Sequence, residues 1–70
     1  MANELAIIVN GENRRIVEGA TVEDLLRDLS LPPGRVAIER NLEILPRPVW
    51  SDTRIAANDR YEIVHFVGGG

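Results

Sequence analysis

The chain has one segment with clear helical periodicity, TVEDLLRDL at residues 21–29. Its apolar residues recur at i, i+3, i+4 and i+7 and form one stripe, which consists of Val22, Leu25, Leu26 and Leu29. Thr21 is a favoured N-cap residue, and Asp24 lies three residues later as a capping-box partner near the positive end of the helix dipole. A helix with one apolar stripe must pack that stripe against another element.

The residues that precede this helix predict a β-hairpin. Residues 5–9 are a continuous apolar run, and Asn10-Gly11 follows as a dipeptide suited to a tight turn with positive φ. Residues 14–18 are then predicted as the return strand. Two strands therefore come before the helix in the chain.

The residues that follow the helix predict three more strands. Residues 36–39 alternate in the way a half-buried strand does, and residues 43–45 form a short strand that the nearby prolines confine to an edge. Residues 60–67 form the last strand after the turn residues Asn58-Asp59. Trp50 lies in a region that we expect to be irregular, and we expect its side chain to be partly buried. A sheet with one helix on one face is an α+β arrangement.

Composition excludes most kinds of functional site. The 70 residues include no cysteine, and all eight basic residues are arginine, so disulfides, thiolate metal sites and lysine Schiff bases are excluded. The formal charge is −3 with mixed signs along the chain, unlike the basic face of a nucleic-acid binder. The apolar run at residues 5–9 is too short to span a bilayer. We expect a cytoplasmic protein that binds no metal, no nucleic acid and no membrane.

The end of the chain predicts the functional group. Gly68, Gly69 and Gly70 directly follow the last predicted strand. Glycines without side chains form a flexible stalk that a partner enzyme can draw into a narrow site, because a Cβ would widen the stalk and restrict its backbone. We therefore predict a domain at residues 1–67 and a flexible tail at residues 68–70, with the Gly70 carboxylate as the reacting group.

Several motifs together resemble one known family. The matching segments are Asn10-Gly11, Thr21-Val22-Glu23-Asp24-Leu25-Leu26, Ala37-Ile38-Glu39-Arg40-Asn41, Ile44-Leu45-Pro46-Arg47, Trp50 and Ile63-Val64-His65-Phe66-Val67-Gly68-Gly69-Gly70. They resemble the ThiS family, the sulfur carriers of thiamine thiazole biosynthesis, over nearly the whole chain. This family has a ubiquitin-like β-grasp fold, so the resemblance implies a mixed β-sheet packed against one main α-helix. Asn58-Asp59 replaces the common Gly-Asp turn, and Leu42 occupies a turn position where a small or polar residue is more usual.

The resemblance also implies a reaction. In the family, an adenylating (ThiF-like) enzyme uses ATP to activate the terminal carboxylate, which would here be that of Gly70. Sulfur from a persulfide donor, a cysteine desulfurase or rhodanese-like protein, then gives a thiocarboxylate. A thiazole synthase (ThiG-like) takes this sulfur into the thiazole ring. The chain would thus be a protein co-substrate without catalytic residues or a bound cofactor, and not an enzyme.

Docking on a partner is expected to use the sheet face away from the helix. Side chains alternate between the two faces along a strand, and Glu62 marks the solvated side of the last one, because an unpaired buried carboxylate is costly. An apolar patch with acidic neighbours is a plausible interface for an adenylating enzyme. The expected docking residues are Val64, Phe66, Glu62, Glu39 and Ala37, with Phe66 as the main anchor.

Two other functions fit the same residues. One is a related carrier with the same tail chemistry, such as the small subunit of molybdopterin synthase. The other is a β-grasp binding module with an unreactive tail. A self-contained enzyme is not expected, because these residues offer no nucleophile and base pair, metal cluster or phosphate loop. We expect the free chain to be a monomer; its final sulfur acceptor is left open.

Overall fold

The computed structural model describes residues 3–66. The predictions for the end of the last strand at Val67 and for the glycines at 68–70 lie outside these residues. The elements in chain order are β1 (Glu4–Val9), β2 (Glu12–Val17), α1 (Val22–Asp28), a 3₁₀ turn (Pro33–Arg35), β3 (Val36–Arg40), β4 (Glu43–Ile44), a second 3₁₀ turn (Arg47–Val49) and β5 (Arg60–His65). Each of the predicted strands and the helix is present within a few residues of its predicted bounds.

The five strands form one mixed sheet in the order β2-β1-β5-β3-β4. The hairpin of β1 and β2 is antiparallel, as are the pairs β3–β4 and β3–β5. β1 and β5 run parallel in the centre, where Ile8 pairs with Arg60 and Val9 with Tyr61. The last strand of the chain is therefore the central strand of the sheet. This arrangement confirms the predicted α+β class.

The helix covers one face of the sheet, and the core lies between them. Val22, Leu25 and Leu26 are buried, as the sequence period predicted, and Leu29 packs partly buried against the same core. The rest of the core comes from the sheet and from the segments that flank it, namely Ile7, Val9, Ile16, Ala20, Val36, Ile38, Trp50, Ile55, Tyr61 and Ile63. No helix within residues 3–66 is long and apolar enough to cross a membrane.

The start of α1 has the predicted cap. The Asp24 N–H donates to the Thr21 hydroxyl over 3.2 Å, and the Thr21 N–H donates to the Asp24 carboxylate over 2.9 Å. These reciprocal bonds form a complete capping box, although aspartate stands where glutamate is more common. The Thr21 N–H also lowers the pKa of the Asp24 carboxyl, since it stabilises the ionised form.

The region around Trp50 is irregular as predicted, since residues 50–59 contain only turns and one isolated backbone pairing, but the side chain is buried more deeply than predicted. The preceding residues form a regular 3₁₀ turn with Trp50 as its C-terminal cap, and only 4% of the residue is exposed. The indole N–H donates to the Leu45 carbonyl over 2.8 Å, which satisfies the one polar atom that burial would otherwise leave unpaired. The Arg47 guanidinium lies 5.4 Å from the centre of the ring and covers it. The long connection from β4 to β5 is thus fixed to the core.

Asp59 was predicted as a turn residue, but its carboxylate is buried and joins several elements. Only 5% of the residue is exposed. The carboxylate accepts hydrogen bonds from four donors, which are the Tyr61 hydroxyl (2.8 Å), the Ala56 N–H (2.9 Å), the Arg40 guanidinium (3.1 Å) and the Asn41 amide (3.1 Å). These donors come from β3, from the turn after it, from the connection before β5 and from β5 itself. Asp59 therefore fixes the point at which β5 enters the sheet.

The environment of Asp59 keeps it ionised. Burial alone would raise the pKa of the carboxyl, but the hydrogen bonds it accepts outweigh burial and hold the pKa below its ordinary value. The net shift of Tyr61 is the opposite, since burial and the hydrogen bond to the ionised Asp59 both raise the pKa of its hydroxyl. The tyrosine therefore remains a donor, and the aspartate an acceptor, throughout the neutral range.

We predict that Asp59→Asn lowers the free energy of unfolding by about 2 to 3 kcal/mol at neutral pH, because hydrogen bonds to a buried charged group are lost. A lowered folded-state pKa gives stability that is present above the unfolded value of about 3.9 and is lost as the pH falls through the folded value. The difference in the free energy of unfolding between the native chain and the variant, measured by urea unfolding, should therefore become smaller below about pH 4.

Asp52→Asn is the matched control, since Asp52 is exposed and accepts no side-chain hydrogen bond within residues 3–66. We expect it to change the free energy of unfolding by less than about 0.5 kcal/mol at any pH. A difference for Asp59→Asn that stays constant from neutral pH to about pH 3 would contradict the role given to its charge.

Candidate functional site

The sheet face away from the helix carries the predicted docking residues side by side. Ala37 of β3 lies opposite Val64 of β5, and Glu39 lies opposite Glu62. Their side chains are exposed, with 56% of Val64 accessible. Tyr61 and Ile63 point inward and belong to the core, so the predicted alternation along β5 is confirmed as far as Val64, whereas His65 at the end of the strand is exposed. Whether a partner binds this face stays a prediction.

Phe66 lies at the tail end of this surface. It is 53% exposed, and its N–H donates to the Arg35 carbonyl over 2.7 Å. One residue earlier, His65 pairs with Val36 at the start of β3. Backbone hydrogen bonds to the β3 side therefore continue up to Phe66, the last described residue, which has a fixed place at one end of the sheet.

Sequence reasoning missed a third strand of this surface. Ile44 of β4 pairs with Glu39, and it is 79% exposed. Together with Ala37, Val64 and Phe66 it makes an apolar surface interrupted by the Glu39–Glu62 pair; these six residues are called the open-face patch below. An apolar residue in a two-residue edge strand beside proline was the available signal, because neither face of so short a strand need be buried.

The turn between β3 and β4 has an unusual backbone. Asn41 and Leu42 both have positive φ, of 51° and 74°. Asparagine tolerates this region, whereas leucine is uncommon there. Leu42 is also 82% exposed. The sequence departure at this turn therefore puts an exposed leucine in the turn between β3 and β4. The Asn58 turn shows the expected positive φ, of 69°.

The charges on the open-face patch have the same sign. Glu39 and Glu62 are directly opposite each other on neighbouring strands, and neither makes an ion pair within residues 3–66. Like charges at such positions are destabilising. The described residues contain no group of three or more side chains placed to hold a metal ion. The patch is thus an acidic and apolar surface with a shallow depression between Ala37, Ile44 and Val64, and its side chains form no metal site within the described residues.

Asn10 positions the strand that leads to the tail, a role that its sequence context did not reveal. It has a φ of 50°, as a turn residue does. Its side-chain carbonyl accepts the Ile63 N–H over 2.7 Å, and its amide donates to the Ile63 carbonyl over 3.1 Å. The side chain thus takes the place of a strand neighbour just where the β1–β5 pairing ends at Val9 and Tyr61.

The topology and the single helix define a ubiquitin-like β-grasp protein. A designed protein based on the template of human erythrocytic ubiquitin has the same fold, with a TM-score of 0.54 and 17% identity over 100% of this chain and 98% of that one. The family is shown by sequence. The model of the ThiS family matches residues 7–70, and the chain belongs to this family.

Individual relatives agree with this assignment. The sulfur carrier protein ThiS of Bacillus subtilis is 42% identical over 50 residues, which cover 71% of this chain and 76% of that protein. The crystal structure of the thiamine biosynthesis protein (ThiS) from Geobacter metallireducens has a TM-score of 0.75 and 33% identity, covering 94% of this chain and 100% of that one.

A longer kind of relative also matches. The thiazole synthase of Paramagnetospirillum magneticum is 41% identical over 66 residues, which cover 94% of this chain and 20% of that protein. The chain spans about a fifth of the length of the curated thiazole synthases it matches. A segment similar to this whole domain is therefore part of those proteins.

We predict that Asn10→Gly lowers the free energy of unfolding by about 1 to 2 kcal/mol, because two hydrogen bonds to Ile63 are lost while the positive φ remains accessible. Hydrogen exchange of the Ile63 amide should become faster than that of the core amides of α1. Asn58→Gly is the control, because Asn58 is likewise exposed and has a positive φ but makes no side-chain hydrogen bond within the described residues. Equal effects of the two substitutions would show that the Asn10 amide contributes nothing.

Proposed function

We propose that this chain is a sulfur carrier for the formation of the thiazole ring of thiamine. The observation that carries the proposal is the ThiS-family match, which extends to Gly70 and includes the glycine segment. The sulfur carrier from Bacillus subtilis supports it, and so does the matching structure of a thiamine biosynthesis protein. On this proposal the chain is a co-substrate, and the catalytic groups belong to its partners.

The reacting group in this proposal is the carboxylate of Gly70. An adenylating enzyme joins one carboxylate oxygen to the α-phosphorus of ATP and releases pyrophosphate, which turns a poor electrophile into an acyl-adenylate. The outer sulfur of a persulfide attacks the carbonyl carbon, and AMP leaves. Reduction of the resulting acyl disulfide by a thiol frees the thiocarboxylate. Gly68 and Gly69 serve access, because side chains there would widen the segment that enters the enzyme.

The proposed partners are an adenylating enzyme, a persulfide donor and a thiazole synthase. The third has its own support, since known thiazole synthases contain a segment similar to this chain. A covalent link between two modules raises their effective concentration for each other, which suits a carrier and the enzyme that consumes its cargo. ATP belongs to the adenylating enzyme in this scheme, and the chain itself holds no cofactor.

The open-face patch is the proposed docking surface for the adenylating enzyme. Val64 and Phe66 lie next to the tail, so contact there would hold the tail near the partner's active site. A basic group on the partner would relieve the repulsion between Glu39 and Glu62, which gives the patch a charge preference as well as an apolar anchor. From Phe66, the four residues to Gly70 reach at most about 13 to 14 Å.

We predict that the chain gains the mass difference of sulfur for oxygen when it is incubated with an adenylating enzyme, ATP and a cysteine-derived sulfur donor. Intact-mass spectrometry measures this directly. A chain lacking Gly70 should remain unmodified while its unfolding transition is unchanged. A native chain that forms neither an AMP adduct nor a thiocarboxylate with several such enzymes would contradict the carrier function and favour a binding module with an unreactive tail.

We also predict that Val64→Asp weakens binding to the adenylating enzyme by about tenfold, or roughly 1.4 kcal/mol, because it removes an apolar contact and adds a third negative charge to the patch. Val17→Asp is the matched control, since Val17 is also an exposed strand valine, 46% accessible, at the far edge of the sheet. Isothermal titration calorimetry compares them. Equal affinities for the two variants would exclude the patch as the docking surface.

A further inference from the structure

We propose that arginine in place of lysine prevents the activated tail from acylating its own domain. Position 35 is the one at which this matters most. The inference rests on the proposed function, because only an activated Gly70 carbonyl needs such protection. The seventy residues contain neither lysine nor cysteine, the two side chains that readily attack acyl-adenylates and thioesters.

The chemistry separates arginine from lysine sharply. A neutral lysine amine forms a bond from Nζ to the carbonyl carbon, the bond to AMP or to a thiolate breaks with its electron pair, and the amine's proton passes to water. Lysine has a pKa of about 10.4, so a small neutral fraction is always present near pH 8. A guanidinium, whose pKa lies far above that of a lysine amine, has almost none. Arginine thus gives the same charge without the nucleophile.

Arg35 is the basic residue whose backbone is bonded to Phe66, the last described residue before the tail. Its carbonyl accepts the Phe66 N–H over 2.7 Å, and its side chain is exposed without an ion pair inside residues 3–66. Gly70 follows Phe66 by four residues in the chain, so it can reach at most about 13 to 14 Å from Phe66. A nucleophile at position 35 would meet the activated carbonyl at an effective concentration on the order of millimolar.

Arg54 lies far from Phe66, the last described residue before the tail. Its backbone pairs with that of Thr21, the residue before α1. Thr21 follows Val17, which pairs with Glu4 at the beginning of β1. β1 runs parallel to β5 and pairs with it at Ile8 and Arg60. Glu4 lies four residues before Ile8 and Phe66 six residues after Arg60, in opposite directions along the sheet. Ten residues of strand therefore separate the two ends, a distance of about 33 Å. This exceeds twice the reach of the tail.

The test uses a thioester at Gly70, made by releasing the full chain from an intein fusion with a small thiol. The native chain, Arg35→Lys and Arg54→Lys are incubated at micromolar concentration near pH 8, and intact masses are followed. The native chain and Arg54→Lys should hydrolyse to the free acid. Arg35→Lys should give at least about tenfold more of a product one water lighter than the free acid, at a rate independent of protein concentration. Peptide mapping should join position 35 to Gly70.

Hydrolysis of Arg35→Lys without the lighter product would overturn the inference, as would equal amounts of that product in Arg35→Lys and Arg54→Lys. Formation of the lighter product by the native chain would also overturn it. Both positions are exposed, so unchanged unfolding curves are expected for both variants. No partner enzyme takes part, so the outcome is separate from the sulfur-loading experiment: a native chain that loads sulfur while Arg35→Lys only hydrolyses would retain the carrier function and lose this inference.

Discussion

The buried carboxylate of Asp59 is the interaction on which the arrangement of the sheet depends. It accepts hydrogen bonds from β3, from the turn after it, from the connection before β5 and from β5. The backbone carbonyl of the same residue accepts the Ile8 N–H over 3.0 Å, so the central parallel pair begins here too. A buried charge is stable only when it is fully hydrogen-bonded, and this requirement allows one position for the last strand.

In that position, β5 has one face in the core and one face exposed. Tyr61 and Ile63 enter the core, whereas Glu62 and Val64 remain on the open face. A domain of this size buries only about 60% of the surface that its unfolded chain exposes. Each apolar side chain left exposed therefore contributes no hydrophobic stabilisation to a fold that has little to spare. The exposed valine, phenylalanine and isoleucine on one face are the basis of the proposed docking surface, and the core on the other face with the Asp59 network makes their exposure tolerable.

The sequence predicted what depends on period and on local chemistry. Three features show such a signal: the apolar stripe of α1, the Asn10-Gly11 turn dipeptide and the alternation along residues 60–67. The described part of each has the predicted structure, in the last case as far as Val64. The side-chain bonds of Asp59 and Asn10 span as many as 53 positions in the chain, and no spacing signals them, because both residues also look like ordinary turn residues. The complete burial of Trp50 was missed for a related reason, because it depends on a carbonyl that only the folded connection brings within reach of the indole N–H.

The hydrogen bonding of β5 changes in steps toward the tail. Tyr61 pairs with both β1 and β3, and Ile63 pairs with β3 while the Asn10 side chain replaces β1. From Val64 to Phe66, the neighbour within the described residues is the β3 side alone. The strand is therefore held from both sides where it forms the core and from one side where it approaches the glycines. A partner can thus approach the other side near the tail without breaking the pairs that hold the domain together, which is the constraint a carrier must meet when it presents its terminus to more than one enzyme.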